Sequence, residues 1–212
     1  MKVLNLYAGI GGNRKLWEDV EVTAVELDPI IAGIYQDNFP DDTVIVGDAH
    51  QYLLDHYKDG FDLIWASPPC PTHSRINISQ YTRESWKPHF PDMKLYEEII
   101  FLEHYFKGKY VVENVIPYYK PLIEAKERGR HLYWTNFNLP NYKERDAKIR
   151  EWQLPRLELH HNIDLSSYNG KQNKRKIARN LVDYEAGKTI LETVFGIERK
   201  QNEKQTSIFD EL

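Results

Sequence analysis

The chain has a single cysteine, Cys70, so it can form no internal disulfide and fits a reducing compartment, the cytoplasm. It has no apolar stretch approaching the ~20 residues needed to cross a bilayer, so no membrane association is expected. Nor does it open on a charged and then apolar leader. The strand-like run Lys2-Val3-Leu4-Asn5-Leu6-Tyr7 starts at once, and no signal peptide is expected. The sequence lacks internal repeats. Its histidines and acids do not gather at metal-ligand spacing; His160 and His161 fit plain surface, and no metal is expected. What remains is a chain of 212 residues, long enough for one α/β domain with a full core and a small appendage.

Basic charge is scarce early and concentrated late. Residues 1–63 carry twelve acidic side chains against four basic ones. Residues 141–179 carry ten basic against five acidic, densest at Lys171-Gln172-Asn173-Lys174-Arg175-Lys176. The net charge of −4 alone points to no polyanion. The asymmetry suits a cationic cofactor held by the first part and a phosphate backbone held by the later one. A solvated face would show the same charge run.

Short β-rich runs at 3–7, 22–26, 43–46, 61–66 and 110–113 are separated by segments of helical length. That alternation predicts an α/β fold with a doubly wound, mostly parallel sheet. Asp28-Pro29 reads as a helix cap followed by proline at the first helical position, opening a helix over 30–38. Leu95, Ile99, Leu102 and Phe106 lie at helical spacing within 92–106, and 131–137 is a further strand candidate. Between 138 and 177 the pattern dissolves into proline, asparagine, charge and scattered aromatics. A last amphipathic helix follows over 181–195, closed by Gly196. Residues 198–212 are polar until the last few and are expected to fray.

The ends of the strands carry the chemistry. The first leads into Tyr7-Ala8-Gly9-Ile10-Gly11-Gly12, where glycines permit a tight turn and close backbone approach to a nucleotide-like ligand. The second ends in Glu26-Leu27-Asp28, where an acid can accept from ribose hydroxyls. The third ends in Gly47-Asp48-Ala49, where a carboxylate can receive an adenine amino group. Each acid also fits a helix cap, the preferred reading for Asp28. Three such ends in series point to an adenosine-type cofactor. No Walker-type lysine follows the glycines and the third dinucleotide glycine is missing, which favours S-adenosylmethionine over a nucleotide phosphate. The fourth run ends in Ser67-Pro68-Pro69-Cys70-Pro71. Two prolines stop a strand sharply, since each fixes φ and removes a donor. Cys70 is thus presented at the sheet edge, either as a small buried hydrophobe or as a nucleophile. Val111-Val112-Glu113-Asn114-Val115 is another strand ending in an acid.

Taken in order, Tyr-Ala-Gly-Ile-Gly-Gly, Glu-Leu-Asp, Gly-Asp, Pro-Pro-Cys and Glu-Asn-Val resemble the motifs of DNA (cytosine-5) methyltransferases of the compact type carried by phages. Arg128-Gly129-Arg130-His131 resembles the family's Arg-x-Arg segment. Arg179-Asn180-Leu181-Val182 resembles its closing Asn-containing motif, so the resemblance covers 1–137 and 178–196. It implies a Rossmann-like S-adenosylmethionine-binding catalytic domain over 1–137 and a short target-recognition segment over 138–177. A helix over 178–197 would complete the domain, and 198–212 would be a flexible tail.

The resemblance also implies roles. Cys70, as thiolate, would add to C6 of a cytosine flipped out of duplex DNA. Glu113 would serve the N3 edge and exocyclic amine. Arg130 would neutralise charge at O2, with Arg128 or His131 as alternatives. Cofactor contacts fall on Tyr7, Ala8, Gly9, Ile10, Gly11 and Gly12 in the first turn, on Glu26 and Leu27 at the ribose, and on Asp48 and Ala49 at adenine. Pro68 would floor the cavity, Asn180 would approach the methionine end, and Asn114 would tie its strand end to the Pro-Pro-Cys turn. Residues 72–91 resemble the mobile loop that closes over DNA. Ser74, Arg75 and Arg83 suit phosphate contacts there, with Lys171, Lys174, Arg175 and Lys176 further on.

Two departures from the family pattern stand out. Pro71 occupies the place usually held by Gln, and the 40 residues of 138–177 replace a separate small domain. So short a segment offers few base-reading side chains, and a recognition sequence of about two to four base pairs is expected. In the tail, Gln205-Thr206-Ser207-Ile208-Phe209 resembles the peptide by which bacterial proteins dock on the DNA polymerase sliding clamp, anchored by Gln205, Ile208 and Phe209. The competing account folds Ile208 and Phe209 back onto the domain. The expected context is a monomer in a bacterial or phage-infected cytoplasm. Two rivals stay open: a cytosine-5 enzyme acting on RNA, and a catalytically silent nucleic-acid-binding relative. An amino-methyltransferase is disfavoured, because Cys70 stands where those enzymes carry an aromatic residue.

Overall fold

A computed structural model describes residues 1–76, 87–139, 152–166 and 168–196. Its strands are β1 (Lys2–Leu6), β2 (Glu21–Glu26), β3 (Thr43–Val46), β4 (Leu63–Ala66), β5 (Lys109–Val115), β6 (Lys126–Arg128) and β7 (His131–Thr135). They form one sheet in the order β3-β2-β1-β4-β5-β7-β6. The first five run parallel, and β7 lies antiparallel between β5 and β6. The helices among the described residues are α1 (Pro29–Asn38), α2 (Ala49–His56), α3 (Lys94–Tyr105), α4 (Leu154–His161), α5 (Lys174–Arg179) and α6 (Tyr184–Val194). The doubly wound, mostly parallel sheet is the one the alternation of strands and helices predicts.

β1, β4 and β5 read as nearly unbroken apolar runs because both faces of the sheet are covered. Leu4, Leu6, Ile64, Ala66 and Val112 pack against Leu53 of α2 and Leu95, Ile99 and Leu102 of α3. Val3, Leu63, Trp65, Val111 and Tyr133 pack on the opposite side with Trp17 and with Ile190 and Leu191 of α6. α1 begins where expected. Asp28 Oδ1 accepts from the Ile30 and Ile31 amides at 2.9 and 3.4 Å. No helix among the described residues is long and apolar enough to cross a membrane.

The structure departs from the sequence expectation in several places, and His161, read as plain surface, is buried at 2% exposed. The stretch 138–177 holds two helices, α4 and α5. Their apolar side chains, Leu157 and Ile177, share a cluster with Ile10 of the first turn and Ile31 of α1. Helices of eight and six residues that bury only scattered positions leave no readable period. The last helix begins at Tyr184 rather than near 181, because Asp183 caps it by accepting from the Glu185 amide at 2.8 Å. Leu181 and Val182 are spent instead on the first turn, where a Cβ at Gly12 would lie 2.8 Å from the Val182 carbonyl oxygen. A further departure is β6, Lys-Glu-Arg, a three-residue edge strand with no apolar alternation to announce it.

Candidate active site

All five parallel strands deliver their carboxyl ends to one edge, and the strand order reverses at β1, flanked by β2 and β4. Such a switch point opens a crevice. Two adjoining cavities fill it, of about 470 Å³ and about 300 Å³. Tyr7, Glu26, Ser67, Pro68 and Pro69 line both. The smaller cavity takes in Leu27, Asp48 and Ala49. The larger takes in Ala8, Gly9, Ile10 and Gly12 from the first turn, with Cys70, Ser74, Glu113, Arg130, Lys176 and Asn180.

Gly11 lines neither cavity. Its φ of +84° and a Cβ position 2.2 Å from Phe39 Cε2 explain glycine there by packing. Gly9, at φ +56°, turns its amide onto Glu26 Oε2 at 3.0 Å, while Glu26 Oε1 accepts from the Asp28 amide at 2.9 Å. A carboxylate so fixed keeps lone pairs for a diol in the crevice. Asp48 Oδ1 caps α2 at 2.9 Å from the His50 amide, with Oδ2 directed toward Lys94 Nζ at 3.7 Å. A glycine turn, two anchored acids and a two-lobed space fit an adenosine-type cofactor with a cationic tail.

Tyr7 sits between the lobes in a left-handed conformation, φ 57°. Its hydroxyl donates to Glu98, whose Oε1 also lies 2.9 Å from His50 Nδ1. Glu98 is 1% exposed. Burial pushes its carboxyl up, against the bonds from His50 and Tyr7, and the bond to Glu98 raises the His50 imidazole. Neither partner was foreseen. The legible signal was an acid beside Leu95, Ile99 and Leu102 on the buried face of α3.

The Pro-Pro-Cys turn is tied down from two sides. Trp65 Nε1 donates to Ser67 Oγ at 3.0 Å. Asn114 Nδ2 donates to the Pro68 carbonyl at 2.9 Å, and Asn114 Oδ1 accepts from the Val115 amide at 2.9 Å. That is the tie the sequence led us to expect. Because Asn114 is 2% exposed, Asn114→Ala would strand two buried backbone groups and cost about 2 kcal/mol. Thermal unfolding of this variant is expected about 4–8 °C below wild type; an unchanged midpoint would show the tie to be dispensable. Beyond the turn, the Cys70 carbonyl accepts from the His73 and Ser74 amides at 3.0 and 3.1 Å. Burial, and secondarily the charge of Glu113, push the Cys70 thiol up, while Lys176 and Arg179 pull it down. Burial thus works against the thiolate that the resemblance asks for.

The Arg-x-Arg segment is a β-hairpin. Arg128 pairs with His131 across the turn Gly129-Arg130, with Gly129 at φ +57°. Arg128 donates to the carbonyls of Glu127 at 2.8 Å and Leu139 at 3.4 Å. Arg130 and His131 line the larger cavity, and Arg128 does not. Arg179, not foreseen, joins them there, and its adjacency to Asn180 was the available clue.

Of the phosphate candidates, Arg75 Nε donates to the Pro117 carbonyl at 3.3 Å, Lys174 Nζ to the Ser166 carbonyl at 3.0 Å and Arg175 Nε to the Trp152 carbonyl at 2.8 Å. Lys171 is exposed, whereas Gln172 Nε2 donates to Asp28 Oδ2 at 3.1 Å. Arg83 and the tail residues Gln205, Ile208 and Phe209 lie outside the described residues.

The family model for C-5 cytosine-specific DNA methylase matches residues 1–117. A tRNA (cytosine(38)-C(5))-methyltransferase of Spodoptera frugiperda is 31% identical over 80 residues, 35% of this chain and 24% of that protein. The chain thus spans about a quarter of that curated relative. Among solved structures, a hypothetical protein of Thermus thermophilus is similar at 19% identity, covering 63% of this chain and 73% of that one, with a TM-score of 0.43. The S. pombe Dnmt2 methyltransferase is similar at 21% identity, covering 54% of this chain and 34% of that one, with a TM-score of 0.40.

Proposed function

From the premise that the chain belongs to the C-5 cytosine-specific DNA methylase family, we propose that it transfers a methyl group from S-adenosylmethionine to C5 of cytosine in double-stranded DNA. The observation that carries this reading is the meeting of Cys70, Glu113 and Arg130 in one cavity with the glycine turn and Glu26. S-adenosylmethionine, when bound, supplies an electrophilic methyl group. The protein's task is to make C5 nucleophilic and to exclude water.

Cys70 Sγ forms a bond to C6 of a cytosine swung out of the duplex. Glu113 holds the proton that N3 acquires as the ring takes up electrons, and Arg130 neutralises the charge gathering at O2. C5, now enamine-like, takes the methyl group. The C5–H bond then breaks, its proton leaving to solvent and its electron pair forming the C5=C6 bond as Sγ departs, while N3 returns its proton to Glu113. Lys176 and Arg179 of α5, which line the larger cavity, would meet the phosphates of the extruded nucleotide. Gln205, Ile208 and Phe209 would add a clamp-docking peptide of bacterial type.

A second reading, cytosine-5 methylation of RNA, is favoured by the tRNA methyltransferase among the relatives. Both are tested by incubating unmethylated duplex DNA and unmodified tRNA in parallel with the protein and S-adenosylmethionine, followed by nucleoside mass analysis. We expect 5-methyldeoxycytidine from DNA. Methylation of tRNA alone selects the second reading, and N4-methylcytosine or N6-methyladenine would overturn the chemistry. Blank results on both substrates would leave a binding relative.

A further inference from the structure

The hairpin that carries Arg128, Arg130 and His131 separates their tasks. Arg130 stands in its two-residue turn, while His131 is the first residue of β7. In the antiparallel register, Glu113 faces Tyr133 and Val115 faces His131. Residues two apart on a strand share a face, so the imidazole is delivered to the same side of the sheet as the Glu113 carboxylate. His131 Nε2 lies 3.5 Å from Glu113 Oε1. Both residues are nearly buried, at 9% and 6% exposed, and both line the cavity that holds Cys70.

We infer that His131 is a positioning residue that works through Glu113, the two sharing one exchangeable proton between Nε2 and Oε1. The inference rests on the cytosine-5 reading and adds to it the group that keeps Glu113 supplied. As the Sγ–C6 bond forms, N3 takes the shared proton from Glu113. The thiol proton released by Cys70 passes through the cavity to His131 and refills the pair. One proton has then moved from sulfur to N3, and the dyad is unchanged. Without a basic partner beside it, Glu113 as a carboxylate opposes the thiolate it must help to form. Among the described residues, the other charged groups sharing this cavity are Arg130 in the turn, Glu26 at the end of β2, and Lys176 and Arg179 from α5, while Arg128, the register partner of His131 on β6, lies outside it.

The test uses the full chain with His131→Gln, His131→Ala and Glu113→Gln, read by kcat as a function of pH, by DNA affinity in gel shift, and by thermal midpoint. We expect His131→Gln to lower kcat about 100-fold, with DNA affinity within about threefold of wild type. The pH dependence of its kcat should differ from that of wild type, since one partner of the pair is gone. Added imidazole should restore part of the turnover of His131→Ala, which no purely structural role would allow. If the alanine variant proves unfolded, His131→Gln decides. An active wild type with a His131→Gln variant of equal kcat and unchanged pH profile overturns this inference alone. A wild type that makes no 5-methylcytosine overturns the reading beneath it.

Discussion

Replacing Cys70 with alanine is expected to abolish methyl transfer, a loss of about 10⁴-fold or more, while S-adenosylmethionine affinity stays within about threefold of wild type. Cytosine C5 gains nucleophilic character only when a group adds at C6, and in place of sulfur the cavity offers the hydroxyls of Ser67 and Ser74. The Ser67 hydroxyl accepts from Trp65 Nε1, and a hydroxyl is a far weaker nucleophile than sulfur at neutral pH. Nucleoside mass analysis and calorimetric titration read the two halves of the expectation. Glu113→Gln supplies a companion result of opposite sign. Its turnover should fall about 10²–10⁴-fold, yet alkylation of Cys70 by iodoacetamide at fixed pH should quicken. Burial is the larger cause that holds the Cys70 thiol up, and the charge of Glu113 is the second. Removing that charge lowers the thiol's pKa and enlarges its thiolate fraction. Slower alkylation in Glu113→Gln would sink this account of the pair.

How much of the site the sequence discloses depends on whether a residue's task is local. Asn114 was readable through the family resemblance, and its partner, the Pro68 carbonyl, follows the neighbouring strand of the parallel sheet. Asp28 was readable because its cap bonds, through Oδ1, go to amides two and three residues on. Arg128, Arg130 and His131 could not be separated. Alternation along a strand begins at its first residue, and nothing in Arg-Gly-Arg-His says where a hairpin starts; one residue of register exchanges every facing. α4 and α5 were hidden for a related reason. Leu157 and Ile177 answer to Ile10 and Ile31, more than a hundred residues away, rather than to an apolar stripe of their own. Tyr7, Glu98 and His50 come from the end of β1, α3 and α2, a meeting that only the folded sheet creates.

Gly187 tests how the end of the described chain serves its beginning. A single methyl group should suffice to spoil the first turn. Alanine is normally the better helix residue, by about 0.5–1 kcal/mol over glycine, and Gly187 lies inside α6. Yet a Cβ there would fall 2.2 Å from the Asn13 carbonyl oxygen and 2.9 Å from the Asn13 Cα. These are backbone atoms, and no side-chain rotation relieves them. Asn13 in turn is held by Asn5, its Nδ2 donating to Asn5 Oδ1 at 2.8 Å, and it lines the larger cavity. Either α6 must lift from the sheet or the turn from Gly9 to Asn13 must shift. We expect Gly187→Ala to cost about 3 kcal/mol, lowering the thermal midpoint by about 6–12 °C. S-adenosylmethionine binding should weaken at least about tenfold, the equivalent of about 1.4 kcal/mol. Gly33→Ala is the control. Gly33 lies inside α1 with nothing within 4 Å of the added carbon, and this substitution should raise the midpoint and leave binding alone. Opposite signs at two helical glycines cannot come from helix propensity. Equal signs would mean that α6 does not brace the turn.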